Sequence, residues 1–227
     1  MIPLIVLRPE PGNAATLAAG RAEGLDAHGF PLFTIEPRAW TCPAAGDFDA
    51  VLAGSANAFR HGGGQLAALR RLPVHAVGES TAEAARAAGF ALAGMGSGGL
   101  QGLLDGMAGP LRLLRLAGEE RIAITPPPGV TIAERVVYAS TAQPLAALAL
   151  PLLRAGAVVL LHSAEAARHF AAQCDAAGLD RARIDLALIG PRLIAAAGTG
   201  WGHVATAAVP SDAALLALAR RMCQRPA

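Results

Sequence analysis

The chain has 227 residues, enough for one large or two small domains. It is 53% hydrophobic but only 4% aromatic, so its core must be built mainly of Ala, Leu and Val packed closely on a sheet. Its net charge of +2, from 19 basic and 17 acidic residues, leaves no electrostatic footprint for duplex nucleic acid, while a local basic cleft for an acidic small molecule stays open.

All the basic residues are arginine. The forked donors of Arg suit carboxylates, although a GC-rich coding sequence is the plainer source of the bias. Cys42, Cys174 and Cys223 are widely spaced, which suggests a reducing compartment without a disulfide framework, hence a cytoplasmic protein. Met1–Leu7 is apolar but runs into Arg8-Pro9-Glu10-Pro11, too short and without the basic leader of a signal peptide. Residues 144–161 are oily, yet Pro151 and Arg154 interrupt them, so a helix followed by a strand fits better than a membrane span.

Pro3–Leu7 reads as a buried strand, followed by a helix capped by Asn13 and ended at His28-Gly29, then a strand at Phe30–Ile35. This is one β-α-β unit with a parallel crossover. Glu36–Asp47, with Pro37, Trp40, Pro43 and Gly46, reads as an extended connector. A strand, a helix broken at Gly62-Gly63-Gly64, a strand at Val74–Val77 and a helix from Thr81 to Gly89 follow. Ala91–Ala93 is a weak strand, Leu100–Met107 a short helix and Leu111–Leu116 a strand. Pro126-Pro127-Pro128-Gly129 forbids a continuous helix over 119–131, and the apolar stretch Arg135–Ala139 reads as a second connector. Ala142–Arg154 is a predicted helix, and Pro210-Ser211-Asp212 opens the last one.

One module occurs twice. Residues 50–61 give an apolar run followed by Ser55-Ala56-Asn57-Ala58-Phe59-Arg60-His61; residues 158–169 give an apolar run followed by Ser163-Ala164-Glu165-Ala166-Ala167-Arg168-His169. Each run has the length of a buried strand, and each Ser is placed to cap the helix that follows. Downstream, a short strand, then Gly78 or Gly190, then an Ala-rich helix recur in the same order, the strand of the second copy being Asp185–Ile189.

In open parallel sheets ligands bind at the carboxyl ends of strands, where helix N-termini expose backbone N–H groups that favour carboxylate or phosphate. The candidates are Ser55-Ala56-Asn57, Gly78 through Ser80 and Thr81, Ser163-Ala164, Gly190 through Arg192, and Ser211. Taken singly, each Ser or Thr is explained as a helix cap; repeated in two modules, the set makes an anion-binding cleft credible. Tyr138, the single tyrosine, could donate a proton or hydrogen bond to a leaving oxygen, or be a buried aromatic. No His/Cys/Asp/Glu cluster has zinc spacing, and neither a nucleotide phosphate loop nor a Gly-x-Ser-x-Gly elbow is present. His61 and His169 are expected to face solvent. Such a site suits a substrate that carries its own reactivity.

The order of several short motifs resembles the uroporphyrinogen-III synthase family over nearly the whole chain. Leu7-Arg8-Pro9, Phe48-Asp49-Ala50-Val51 through Ser55-Ala56-Asn57-Ala58, Ala76-Val77-Gly78-Glu79-Ser80-Thr81-Ala82, Val136-Val137-Tyr138, Leu188-Ile189-Gly190-Pro191 and Val209-Pro210-Ser211 carry the resemblance. It implies an α/β fold of two flavodoxin-like parallel-sheet domains joined by two extended connectors, a bilobal protein. Domain 1 would hold residues 1–37 and 143–227 and domain 2 residues 38–134, with connectors near 36–41 and 134–142.

The implied activity is cyclisation of hydroxymethylbilane, a carboxylate-rich linear tetrapyrrole, with loss of water and inversion of the last pyrrole ring through a spiro intermediate. This is a step of haem biosynthesis that uses neither metal nor organic cofactor. Tyr138 would assist departure of the hydroxyl, and Arg8, Ser55, Ala56, Asn57, Ser80, Thr81, Ser163, Ala164, Gly190 and Arg192 would bind substrate. The exposed connectors suggest a monomer, with no nucleic acid or membrane partner and with room for a contact to the enzyme that supplies the bilane. Leu193 stands where many members have Thr, so one hydroxyl contact is missing and Leu193→Thr should be tolerated; around Glu119–Gly129 a Pro-rich stretch replaces a family helix. The alternative is a non-catalytic ligand-binding or sensor homologue using the same cleft. A flavin-binding flavodoxin would need a Ser/Thr loop after the first strand, where this chain has Arg8-Pro9-Glu10-Pro11.

Overall fold

The structure, a computed structural model, describes residues 2–224; Met1 and residues 225–227, which the expected first domain includes, lie outside them. In chain order the elements are β1 (Leu4–Val6), α1 (Gly12–Ala22), β2 (Ala27–Gly29), β3 (Phe33–Pro37), β4 (Ala50–Ala53), α2 (Asn57–His61), β5 (Val74–Val77), α3 (Glu79–Ala87), β6 (Leu92–Gly96), α4 (Gly99–Asp105) and β7 (Leu111–Gly118). Then follow β8 (Val130–Ala142), α5 (Ala149–Ala155), β9 (Ala157–Leu161), α6 (Ala164–Ala176), β10 (Ile184–Leu188), α7 (Ile194–Ala197), β11 (His203–Thr206) and α8 (Asp212–Cys223). The chain divides into two units, one holding residues up to Thr34 and from Ala142 onward, the other Ile35–Thr141. Among the described residues no helix is long and apolar enough to cross a membrane.

The first unit is a parallel sheet in the order β11-β10-β9-β1-β2. Strands covered on both faces read as continuous apolar runs, and Leu4–Val6 and Ala157–Leu161 are buried throughout. One face packs Ile5, Leu7, Val159 and Leu186 against Phe170 and Leu153; the other packs Leu4, Val6 and Leu160 against Leu215, Ala219 and Met222 of α8. Ile2 N–H donates to the Cys223 carbonyl at 3.4 Å, so the two described ends of the chain meet here. Burial pushes the Cys174 thiol up to about 12 and the Cys223 thiol up to about 11, so neither is a ready nucleophile.

The second unit is a sheet in the order β3-β8-β7-β4-β5-β6, parallel from β8 to β6. One face packs Val51, Ala53, Leu114, Leu116 and Val137 against Phe59, Leu69 and Phe90. The other, a smaller cluster around Ala50, Leu52, Leu113 and Val130, is covered by Leu104 and the partly buried Leu100 and Leu103 of the short α4. Read without regard to where the chain enters, β6-β5-β4-β7-β8 repeats β11-β10-β9-β1-β2. The repeated module is thus β4-α2-β5-α3 in one unit and β9-α6-β10-α7 in the other, with β4 and β9 central.

The Ser caps form as expected at Ser163 and Ser211, whereas α2 is capped by Ala56 and Ser55 precedes the cap, bonding only the turn that leads into the helix. Ser55 Oγ accepts from Asn57 N–H at 3.2 Å, Ser163 Oγ from Ala166 N–H at 3.0 Å and Ser211 Oγ from Ala214 N–H at 3.3 Å, each a contact of about 1 kcal/mol.

Other elements differ from the sequence reading. α1 ends at Ala22, before Gly24 at φ +76°, and β2 occupies the His28-Gly29 position assigned to the helix end. Asn13 lies inside α1 and ties it to the carboxyl end of β1, donating to the carbonyls of Val6 and Arg8 at 3.0 and 3.1 Å. Its amide fills the space beside Gly29, where a Cβ would lie 2.2 Å from Oδ1. The predicted helix over 142–154 begins only at Ala149, because Pro144 and the Gln143 N–H bond to the Leu32 carbonyl keep the preceding residues extended. β11 has no counterpart in the sequence reading. The stretch around 134–142 is no bare connector: β8 pairs with β7 from Leu111↔Val130 to Gly118↔Tyr138. Trp40 Nε1 donates to the Gly62 carbonyl at 2.9 Å and Gln65 donates to the Trp40 carbonyl, which pins the earlier extended stretch to the triple-glycine turn.

Candidate functional site

A parallel sheet offers its ligand crevice where strand order reverses, outside the carboxyl ends of the two strands concerned. In the second unit that point lies between β4 and β7. A cavity of about 390 Å³ opens there, lined by Gly54 and Ser55 after β4, Arg115–Gly118 of β7, Glu120–Ile124 beyond it, Gly98–Gln101 at the start of α4, and Tyr138 of β8. The volume falls in the range of small-molecule sites.

Tyr138 owes its direction to an irregularity in β8. The register runs Ala117↔Val136 and then Gly118↔Tyr138, so Val137 is the extra residue of a bulge. Side chains alternate along a strand, and one inserted residue re-aims those that follow. Val137 is fully buried in the core, whereas Tyr138 is half-buried and lines the cavity. Its ring lies over Gly118, where a Cβ would sit 2.8 Å from Cε2 and Cζ. Glu119 N–H donates to the Tyr138 carbonyl at 2.9 Å, which fixes the backbone at the same point.

The polar part of this site lies on β7, β8 and the segment joining them. Arg115 and Glu134 face each other in register, with Arg115 Nη1 donating to Glu134 Oε1 at 2.6 Å. Arg115 Nη2 donates to the Ile122 carbonyl at 2.9 Å, and Arg121 Nε donates to Glu134 Oε2 at 2.9 Å. Burial works against the Glu134 charge, but the hydrogen bond from Arg121 and the charge and hydrogen bond of Arg115 outweigh it and hold the carboxyl below its ordinary pKa. Sequence reasoning missed all three residues. The available signal was a charge inside the apolar run Leu113-Leu114-Arg115-Leu116, since a buried Arg needs a partner.

In the first unit the strand order reverses between β1 and β9, and an ion pair stands at that crevice. Arg8 Nη1 donates to Asp212 Oδ2 at 2.6 Å and approaches Thr16 Oγ1 at 3.5 Å, while His162 Nε2 lies 3.5 Å from Asp212 Oδ1. His162 and Arg8 hold the Asp212 carboxyl well below the usual carboxylate range. At 3.5 Å the His162 contact is long for a hydrogen bond, so the Arg8 bond is the firmer of the two.

Of the residues expected to bind substrate, the cavity gathers Ser55, together with the expected catalytic Tyr138. Ala56 is buried beneath the turn, Asn57 opens α2, Ser80 is exposed on α3, and Thr81 is 3% exposed and faces the core. In the first unit Arg8 is engaged by Asp212, Ser163 is exposed as a cap, Ala164 begins α6, Gly190 is buried and Arg192 is exposed. Leu193 is fully buried among Leu186, Leu188 and Phe170, so it is a packing residue rather than the stand-in for a lost substrate contact. His61 is half-buried, and His169 Nε2 meets the Gln143 carbonyl at 2.7 Å beside the Phe33 ring, so neither simply faces solvent. Among the described residues no group of His, Cys, Asp and Glu could hold a metal ion.

The sequence profile of the family described as uroporphyrinogen-III synthase HemD matches residues 14–217. In fold the chain is similar to the crystal structure of uroporphyrinogen-III synthetase from Helicobacter pylori 26695, with a TM-score of 0.65 and 17% identity over 98% of this chain and 100% of that one. It is also similar to a mutant uroporphyrinogen III synthase from the extremely thermophilic bacterium Thermus thermophilus, with a TM-score of 0.53 and 17% identity over 98% of this chain and 100% of that one. No curated protein sequence matches it. The span matched by the profile takes in both copies of the strand-Ser module and the strand that carries Tyr138, and the chain belongs to the uroporphyrinogen-III synthase family.

Proposed function

We propose that this chain is a hydro-lyase that closes hydroxymethylbilane to uroporphyrinogen III, with inversion of the last pyrrole ring. The observation that carries the reading is the placement of Tyr138, turned by the β8 bulge onto the wall of the cavity at the strand-order reversal, beside Ser55. The phenol donates its proton to the hydroxymethyl oxygen, and the adjacent pyrrole nitrogen supplies the electron pair that expels water. The cation is spread over the pyrroles, so the protein needs to place the chain ends rather than supply a strong acid or a metal. The substituted carbon of the last ring attacks the cationic carbon and forms a spiro ring; this opens and recloses with the ring inverted. The proton lost as the ring regains aromaticity restores the phenol.

Substrate carboxylates are taken up by Arg side chains and by backbone N–H groups at the carboxyl ends of the strands. The reading as a cytoplasmic protein rests on three free thiols, and the reading as a monomer on the extended connectors of the sequence. A hand-over contact with the bilane-forming enzyme would suit a substrate that closes unaided.

The test supplies purified protein with freshly made hydroxymethylbilane and separates the oxidised products. Isomer III should dominate over the isomer I of the spontaneous blank. Isomer I alone, formed at the blank rate, would overturn the reading.

A further inference from the structure

The wall that the segment after β7 contributes to the cavity is unusual in what holds it. Glu119–Ala123 forms neither helix nor strand, and each of its side chains is exposed, Ile122 to 84%. Apolar burial therefore cannot fix this wall. Its anchors are polar. Arg115 reaches up from β7 to the Ile122 carbonyl, and Arg121 reaches back to Glu134 and to the Glu119 carbonyl. Arg38 holds the Glu119 carboxylate at 3.1 Å.

Arg115 joins two of these anchors, because Glu134 is also its own partner. It is 3% exposed and the only charged side chain among the buried described residues. Its Nε is buried without a partner. A cation so placed, with one donor unmet, carries a desolvation cost that packing alone does not explain. Glu120 also lines the cavity but is exposed, so water screens it.

We infer that Arg115 is a positioning residue for ring inversion: it pins the Glu119–Ala123 wall from below and so sets the cavity in which Tyr138 meets the last pyrrole ring. This rests on the proposed function and names what makes that site selective. A wall that can shift lets the activated bilane close without inversion, so loosening it sends enzyme-bound substrate to isomer I. A residue that merely supports the fold would reduce the amount of active protein and leave the product ratio unchanged.

Two measurements on the full chain test this. The first is limited trypsin digestion, with cleavage after Arg121 followed by mass spectrometry. Arg115→Met and Arg115→Lys should be cut there about tenfold or more faster than the wild type, with cleavage elsewhere unchanged. The second is the ratio of isomer III to isomer I after subtraction of the blank. Arg115→Met should shift it about tenfold or more towards isomer I, Arg115→Lys should shift it less, and methylguanidinium should restore it in Arg115→Ala.

Unchanged cleavage after Arg121 in both folded variants would overturn the inference. So would a wild-type isomer ratio in a variant that turns over slowly. If Arg115→Met does not fold, Arg115→Lys decides by the same two readings. If the wild type makes no isomer III, the proposed function fails and this role for Arg115 fails with it, while the digestion separately reports whether the wall is pinned.

Discussion

The two sheets share one strand order but finish their reversal points differently. In the first unit the layer over that point is thick. The 11-residue α1 and the 12-residue α8 cover it, Asn13 is bonded to the strand end, and Asp212 holds Arg8 there. In the second unit the helix matching α8 is the 7-residue α4, and in place of α1 stands the Pro-rich segment after β7, which forms no helix. The thinner layer leaves the cavity of about 390 Å³. A repeated module thus supplies two similar scaffolds, and the segment laid over each sets what stands at its reversal point, an ion pair in one unit and a cavity in the other.

The largest effect is expected at the open point. Tyr138→Phe should lower kcat about 100-fold or more with a much smaller change in KM, measured by isomer III formation; full activity would remove Tyr138 from the chemistry. Gly118→Ala tests the same geometry without touching the phenol. Its Cβ would lie 2.8 Å from the Tyr138 ring, so the ring must move, and activity should fall about tenfold or more while the melting temperature changes little.

Two further variants address the first unit. Leu193 follows Gly190 as Thr81 follows Gly78, and both side chains are buried. Leu193→Thr would bury a hydroxyl and lose apolar contacts, at a cost of about 2–3 kcal/mol. The melting temperature should fall by roughly 5–10 °C while activity per folded molecule holds. Unchanged melting would mean that the two Gly turns are interchangeable.

The smallest effect concerns Asp212. Its carboxyl is depressed in the folded chain, so its contribution is present above the ordinary carboxylate pKa near 3.9 and is lost as the pH falls through the folded value. Asp212→Asn should therefore melt below the wild type at pH 7, by at most about 3 °C, and the gap should close as the pH is lowered below about 4. A gap independent of pH would show that Arg8 is held by something other than the charge.

Much of this organisation is written in local sequence. The strand-Ser-helix module is legible because continuous apolar runs and Ser caps are local signals. The turns at Gly78 and Gly190 are legible for the same reason. β2 is not, since Ala-His-Gly has no strand-forming side chain and exists only because β1 offers a paired edge. The start of α5 is misread because the Gln143 bond to Leu32 is a tertiary contact. At the site, Tyr138 is visible as a lone aromatic, but the bulge that aims it depends on register with β7. Arg115, Glu134 and Arg121 lie apart in sequence and become a group only when β7 and β8 pair. Leu193 looks like a gap in a motif until its burial is known.

The contact of Ile2 with Cys223 allows the chain to be recut. A short link from the end of α8 to the start of β1, with new ends opened near Thr34 and Ala142, would turn the discontinuous first unit into an unbroken polypeptide. Its strands would then run β9, β10, β11, β1, β2, the order in which the second unit runs β4, β5, β6, β7, β8. The two halves would become permuted copies of one gene-sized block, and each could be expressed alone to ask whether the covering segments can be exchanged.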